Sequence, residues 1–289
     1  MRRLAVAASA AFPDLSTDWP LLRAALAELD IEASTQLWTD PSVAWDAYDL
    51  VVANGAWDNI HRPDEFLAWA DALAPVVRVV NSPATLRWNL DKRYLAELDQ
   101  AGVVIVPTTW VSDRAMADDP FPPGQFVVKP TVSGGGYQTA RYGVGEHASA
   151  REHVTRLLAA GRTVMVQPYL DTVDVQGEVG LIFLGGSFSH AISKGAMLRA
   201  GVGAQDHLME YQVIGAAEPS GTQVAAAQAA LAAAERLLGP ATYARVDLVP
   251  LPDGTPAVLE LELLDPALFF EIRPAAASRF AQVLSELLP

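Results

Sequence analysis

The sequence predicts an α/β protein, a parallel-sheet unit followed by two α+β lobes, and three observations predict it. Short apolar strands alternate with amphipathic helices over the first eighty residues, a glycine-rich loop lies between strands in the middle, and two long hairpins occupy the second half. Strand–helix alternation of this kind builds a parallel sheet with helices on both faces. A chain of 289 residues accommodates two or three lobes, and its hydrophobic content of 51% fills their cores.

In order, the pattern reads strand 3–9, helix 18–29, strand 32–37, strand 50–53, helix 63–74 and strand 76–80. Ligands of such sheets sit beyond the carboxyl ends of the strands. Asn54, Trp57 and Asp58 follow the third strand and are candidate substrate residues, although Asn54 and Gly55 equally suit a turn. Ser82 caps a helix that starts at Pro83 and runs to the Gly102 stop. Strands 104–109, 125–129 and 139–144 follow, then a helix ending at Gly161. The rest reads as strand 163–168, a hairpin 178–194 turning at Gly185-Gly186, an Ala-rich helix 222–238, a hairpin 243–264 and a terminal helix 274–287.

Composition removes several functions. A net charge of −14 with no Lys/Arg cluster leaves no field for a polyanion, so no nucleic acid or anionic membrane partner is expected. The absence of cysteine removes disulfides, thiolate nucleophiles and thiolate metal sites. No apolar run approaches the ~20 residues of a membrane span. MRRLAVAASAAF reads as a buried first strand rather than a signal peptide, so a cytoplasmic protein is expected.

The most informative segment is Tyr243-Ala-Arg-Val-Asp-Leu-Val-Pro, an Asp-Gly turn, and Ala-Val-Leu-Glu-Leu-Glu-Leu-Leu. With Asp253 and Gly254 as the turn, Asp247 falls opposite Glu260 and Arg245 opposite Glu262, all on one face. The other face is Val246, Leu248, Leu259, Leu261 and Leu263. Three carboxylates so close repel one another unless a divalent cation neutralises them. Oxygen ligands point to Mg²⁺, which commonly also holds substrate phosphates. Lys129, at the end of an apolar strand, needs an anionic partner. The loop Ser133, Gly134, Gly135, Gly136 offers bare backbone N–H groups to phosphate oxygens. It matches neither the Walker pattern nor a dinucleotide fingerprint. Gln167, Pro168, Tyr169 and Leu170 leave an apolar strand where exposed backbone could read an adenine edge. Glu178 could take ribose hydroxyls, and Lys194 could balance transferring charge. His190 shares a strand face with Lys194 and equally suits a structural role.

Taken in order, Asn89-Leu-Asp-Lys92, Val127-Val-Lys129, the Ser-Gly-Gly-Gly loop, Gln167-Pro-Tyr-Leu170, Gly177-Glu178, Lys194, Arg245-Val-Asp247 and Glu260-Leu-Glu262 resemble the ATP-grasp superfamily. The resemblance implies a Rossmann-like domain at 1–82, a central ATP-binding lobe at 83–166 and a C-terminal lobe with a metal-binding hairpin at 167–289. It implies ATP and two Mg²⁺ ions, with Lys92 and Lys129 on the phosphates, Gln167 to Leu170 as adenine hinge and Glu178 on the ribose. By the same analogy Lys194 contacts the γ-phosphate, Arg245 steadies the acyl phosphate, and Asp247, Glu260 and Glu262 hold the metal. Homodimers are common in the superfamily, and the likeness extends that state to this chain. D-alanine ligases and glutathione synthetases usually carry Asn where this chain has Glu262.

Trp57-Asp58, Arg62-Pro-x-Glu-Phe-Leu-x-Trp69, Asn81-x-Pro-x-x-x-Arg87-Trp88-Asn89, Phe188-Ser-His190 and Glu260-Leu-Glu-x-x-x-Pro266 narrow the likeness to the D-cycloserine synthetase subgroup. That subgroup closes O-ureido-D-serine into a ring. The resemblance implies an ADP-forming carboxylate–nitrogen ligase acting on a small carboxylate substrate. Intermolecular amino-acid ligation, a silent nucleotide sensor and a phosphotransferase remain the other readings. Where relatives often read Arg-Ser-Thr-Trp-Asp, this chain has Asn54-Gly-Ala-Trp57-Asp58. Gly195 to His207, with Arg199, reads either as a mobile lid that would shield an acyl phosphate or as a surface loop.

Overall fold

The computed structural model describes residues 2–11, 18–117, 120–207 and 213–289. Its first domain comprises β1 (Arg2–Ala8), α1 (Asp18–Ala27), β2 (Ile31–Leu37), β3 (Leu50–Val52), α2 (Pro63–Leu73) and β4 (Arg78–Val80). The strands pair in parallel in the order β2-β1-β3-β4. Leu4, Val6 and Ala8 enter one core, and Ala5 and Ala7 enter another against Phe66 and Ala70 of α2. Both faces are therefore covered, as the unbroken apolar strands predict.

The single helix expected from Pro83 to Gly102 is two, α3 (Pro83–Leu90) and α4 (Tyr94–Gln100). Asp91 is extended and its side chain accepts the N–H of Arg93 at 3.0 Å, an alternative to helical bonding that Asp favours. The break turns the main chain of Lys92 toward Thr131, whose carbonyl takes the Lys92 N–H at 2.9 Å.

The middle lobe holds β5 (Thr109–Val111), β6 (Phe126–Pro130), β7 (Ala140–Tyr142), α5 (His147–Ala159) and β8 (Val164–Pro168), an antiparallel sheet ordered β5-β8-β6-β7. The strand expected at 104–109 is largely absent from it. Residues 104–106 instead exchange backbone hydrogen bonds with Val258, at 2.9 and 3.1 Å. The third unit comprises α6 (Thr172–Gln176), β9 (Glu178–Leu184), β10 (Ser187–Lys194), β11 (Ile214–Ala217), α7 (Gly221–Leu238), β12 (Tyr243–Pro250), β13 (Pro256–Glu262) and α8 (Ala275–Leu287). Its antiparallel sheet runs β11-β10-β9-β12-β13.

Packing does not follow the contiguous boundaries read from the sequence. A division at 166/167 cuts through β8. Tyr94, Leu95 and Leu98 of α4 join the core under the third sheet with α7, and Phe280, Ala281 and Leu284 of α8 join the first domain's core. Among the described residues no helix is long and apolar enough to cross a membrane.

The charged hairpin has the predicted register at its functional end, Arg245 opposite Glu262 and Asp247 opposite Glu260. Beyond Asp247 the register slips by one, so Leu248 faces Val258 and Leu259 is the extra residue of a bulge. Leu259, expected in the core, consequently lines a cleft.

Strand β13 lies at the sheet edge; Val258 pairs there with the 104–106 backbone, and past it the outer backbone groups are taken by side chains. Tyr94 Oη accepts Leu261 N–H at 3.0 Å, and Asn89 Nδ2 donates to Leu261 O at 2.7 Å. Asn89 Oδ1 accepts the N–H groups of Leu263 and Leu264 at 2.6 and 3.0 Å, and Asn81 Nδ2 donates to Leu263 O at 2.7 Å. An Asn89→Ala substitution leaves three buried backbone groups without partners and is expected to cost ~3 kcal/mol. Urea unfolding of the two proteins measures it; an unchanged midpoint would show the edge is held by packing alone.

Candidate active site

The site forms where the middle and third sheets face each other. In β6, Phe126 and Val128 point to α5, so the pleat turns Val127 and Lys129 into the gap. Across it stand Glu178, Lys194, Val249, Leu259, Glu260 and Glu262. Together with the open space at its mouth, the cleft spans about 930 Å³. Gln167, Pro168, Tyr169 and Leu170 line one end, and Lys92 with Ser133 to Gly136 the other.

At the hinge end, Gln167 Nε2 donates to Thr108 Oγ1 at 2.9 Å, so this side chain is a structural tie. Pro168 has no N–H and Tyr169 N–H donates to Gln125 O at 2.8 Å. Among the described hinge residues, Leu170 N–H remains as the donor for a base edge. The Arg141 guanidinium lies 3.4 Å over the Tyr169 ring and pairs with Asp174, which also accepts from Tyr169 Oη. At the loop, Gly135 and Gly136 have φ of +52° and +72°, which glycine adopts without strain. Ser133 Oγ donates to Tyr137 O at 2.7 Å, and Tyr137 packs edge-on against His61 of the first domain.

The charges form one chain. Lys194 Nζ lies 2.8 Å from Glu178 and 2.7 Å from Asp247; both Lys194 and Asp247 are 1% exposed. Arg245 Nε lies 3.0 Å from Asp247 Oδ1, and its Nη2 pairs with Glu262. Lys92 Nζ lies 2.8 Å from Glu260 and donates to Ser133 O. Burial would lift the Asp247 carboxyl, but Arg245 and Lys194 hold it down at about 2. Burial likewise opposes ionisation of Glu260, and Lys92 and Lys129 overcome it. Burial pushes Glu262 up to about 8 against the pull of Arg245, with Glu260 and Asp247 adding to the rise. Burial also drives Lys129 down to about 8. Among the described residues Lys129 makes no ion pair, and Glu260 is the nearby carboxylate that most opposes the fall.

One oxygen each from Asp247, Glu260 and Glu262 lies within 4.8 Å of the others. An all-oxygen set of this spacing fits a hard divalent cation such as Mg²⁺. A second cleft of about 1,090 Å³ opens on the far side of this cluster. It is lined by Trp57, Asn59, Asn89, Ile214, Arg245, Asp265 and Phe269, and it shares Lys92, Ser133, Gly134, Gly135, Glu260 and Glu262 with the first.

Several sequence-predicted residues sit elsewhere. His190 is buried, its Nε2 bonded to Leu268 O at 2.9 Å, and lines neither cleft; it props the 267–270 wall. Arg199 is exposed and lines neither cleft. The segment 195–207 does lie over the first cleft, since Met197 and Leu198 line it and Gln205 O accepts Gln138 N–H at 2.7 Å. Glu178 lines the first cleft with the hinge residues and is also the counter-ion of Lys194, at 2.8 Å. Of the three substrate candidates only Trp57 lines the second cleft, its Nε1 donating to Asp265 O at 2.9 Å. Asp58 accepts from Trp38 Nε1 at 2.7 Å, and Asn54 lines a small separate cavity with Asp18 and Trp19. Asn59 and Asp265 escaped sequence reading because isolated polar residues at turns carry no periodic signal.

Comparison with known proteins gives a consistent likeness. Residues 4–81 match the family model for the N-terminal domain of D-cycloserine synthetase DcsG. The chain is 38% identical to the cycloserine biosynthesis protein DcsG of Streptomyces lavendulae, over 99% of this chain and 98% of that one. A crystal structure of D-cycloserine synthetase DcsG superposes with a TM-score of 0.92 at 38% identity, covering 99% of this chain and 100% of the other. A RimK-domain ATP-grasp protein from Sphaerobacter thermophilus shares the fold at a TM-score of 0.68 and 20% identity, with 99% of each chain covered.

The raised Glu262 carboxyl has a measurable consequence. It holds a proton at pH 7, below its folded value of about 8, and a cation must displace that proton to use the oxygen. Mg²⁺ binding at pH 7 is therefore expected to release about one proton and to strengthen as pH rises through about 8. Calorimetry in buffers of different ionisation enthalpy reads this, and Glu262→Gln should abolish it.

Proposed function

The chain belongs to the D-cycloserine synthetase family of ATP-grasp ligases, and on that premise we propose that it phosphorylates the carboxylate of a small amino-acid-like substrate and closes the acyl phosphate onto a nitrogen of the same molecule. The leading substrate is O-ureido-D-serine, with D-cycloserine, an antibiotic, as product. The observation that carries this reading is that two clefts meet at one seam, Lys92, the glycine loop, Glu260 and Glu262. ATP in the first cleft and a carboxylate in the second would bring their reacting atoms together there.

Leu170 N–H would read the adenine edge, and Lys92, Lys129 and the N–H groups of Ser133 to Gly136 would bind phosphates. Asp247, Glu260 and Glu262 would hold Mg²⁺, which when bound supplies charge neutralisation for the transferring phosphoryl group. Lys194, fixed between Glu178 and Asp247, faces the same charge. Arg245 lies at the seam with its fork committed to Asp247 and Glu262, from where it would steady the acyl oxygen. Met197 and Leu198 would keep water from the acyl phosphate. No protein nucleophile is needed, which agrees with the absence of cysteine.

One alternative is a ligase joining two separate amino-acid substrates, since the second cleft is lined by two cations, Lys92 and Arg245, and by a carboxylate outside the metal cluster, Asp265. ADP formation with Mg²⁺ against O-ureido-serine and a panel of amino acids, singly and in pairs, separates the readings. ADP and product from O-ureido-serine alone support ring closure; dependence on a second amine sinks it. Arg245→Ala and Lys194→Ala are each expected to lower kcat by ~10²–10³-fold. Met197→Ala combined with Leu198→Ala should raise ADP released per product formed, and an unchanged ratio would rule out a shielding role for the segment.

A further inference from the structure

Among the described residues the carboxylates lining the second cleft are Glu260, Glu262 and Asp265. The first two belong to the metal cluster. Asp265 stands apart, just after β13 ends, and the chain of charges around the phosphate end does not use it.

Its placement is fixed from the first domain. Asn59 Nδ2 donates to Asp265 Oδ2 at 2.6 Å, and the same amide group donates to Ala56 O at 2.8 Å, so the buried Asn59 is itself held. Trp57 Nε1 grips the Asp265 main-chain carbonyl. The other carboxylate oxygen, Oδ1, makes no hydrogen bond among the described residues, and the side chain keeps partial solvent contact through the cleft. One oxygen is thus anchored and one is offered to whatever occupies the cleft.

We propose that Asp265 is the base that takes the proton from the attacking nitrogen, and that Asn59 is the positioning residue that aims it. This rests on the ligase reading above. In the step, the nitrogen lone pair forms the new bond to the acyl carbon and the bond from that carbon to the phosphate oxygen breaks. Inorganic phosphate leaves, and one N–H proton passes to the Asp265 carboxylate. Burial, chiefly, raises the Asp265 carboxyl to about 7, with Glu260 adding to the rise and the Asn59 hydrogen bond, Lys92 and Arg245 opposing it. A base of that strength is well matched to neutral pH.

The test uses the full-length enzyme, ATP, Mg²⁺ and O-ureido-D-serine or whichever panel carboxylate the wild type turns over. ADP, cyclised product and the hydroxamate trapped by added hydroxylamine are measured for the wild type, Asp265→Asn and Asn59→Ala. Asp265→Asn is expected to form hydroxamate within about twofold of the wild type while product falls by about 100-fold or more. Continued hydroxamate formation also shows that the variant folds and binds ATP. Asn59→Ala should lose product to a smaller extent with hydroxamate unchanged. Product per ADP equal to the wild type in Asp265→Asn would overturn the assignment, as would equal loss of hydroxamate and product, which is the signature of a merely structural residue. A wild type that forms no ADP with any carboxylate removes the ligase reading and this inference together; a coupled Asp265→Asn removes this inference alone.

Discussion

The site depends on the outer edge of β13 beyond Val258, and of the two residues that follow the strand, being satisfied by side chains instead of another strand. Asn81, Asn89 and Tyr94 complete the hydrogen bonds of Leu261, Leu263 and Leu264, and all three come from the segment that links the first domain to the rest. An edge strand left open would invite pairing with another chain and would drift in register. Here the clamp sets the height of Glu260 and Glu262 against Asp247. The same segment turns at Asp91 and brings Lys92 to Glu260. One set of hydrogen bonds therefore positions both Glu260, a candidate metal ligand, and its counter-ion.

Upon that frame the charges balance by moving protons. Glu178, Lys194, Asp247, Arg245 and Glu262 alternate in sign along one chain of contacts, with one acid more than bases. Glu262 absorbs the excess, its carboxyl pushed up to about 8, and Lys129, buried and in no ion pair among the described residues, is driven down to about 8. Breaking such a buried network at one member leaves an uncompensated charge, which costs several times what an exposed pair contributes. A cation on the carboxylates and a polyphosphate on the lysines answer both imbalances.

Much of this was legible in the sequence where a feature repeats at a regular period. The parallel first domain, the two hairpins, the glycine loop and the pairing of Asp247 with Glu260 follow from alternation and turn chemistry. The bulge at Leu259 was not legible, because a slip of one residue leaves both apolar patterns intact. The 214–217 strand was missed because Ile-Gly-Ala-Ala carries no alternation. His190 and Glu178 share strand faces with functional residues, and only coordinates distinguish a side chain propping a loop from one facing a ligand. The second cleft was the least legible part. Asn59 and Asp265 are 206 residues apart, and no local pattern announces that they touch.

The terminal helix carries a last consequence. Phe270, Phe280 and Leu284 lie in the same core as Leu4, Val6 and Leu26, and Asp18 accepts the backbone N–H groups of Leu268, Phe269 and Phe270. The first eighty residues by themselves cover the Leu4 and Val6 face of the sheet only in part, with α1. The rest of the cover comes from α8 and from residues 268–270, and Phe269 also lines the second cleft. The wall of the second cleft and the completion of the first domain's core are thus one piece of packing, so neither is built without the other.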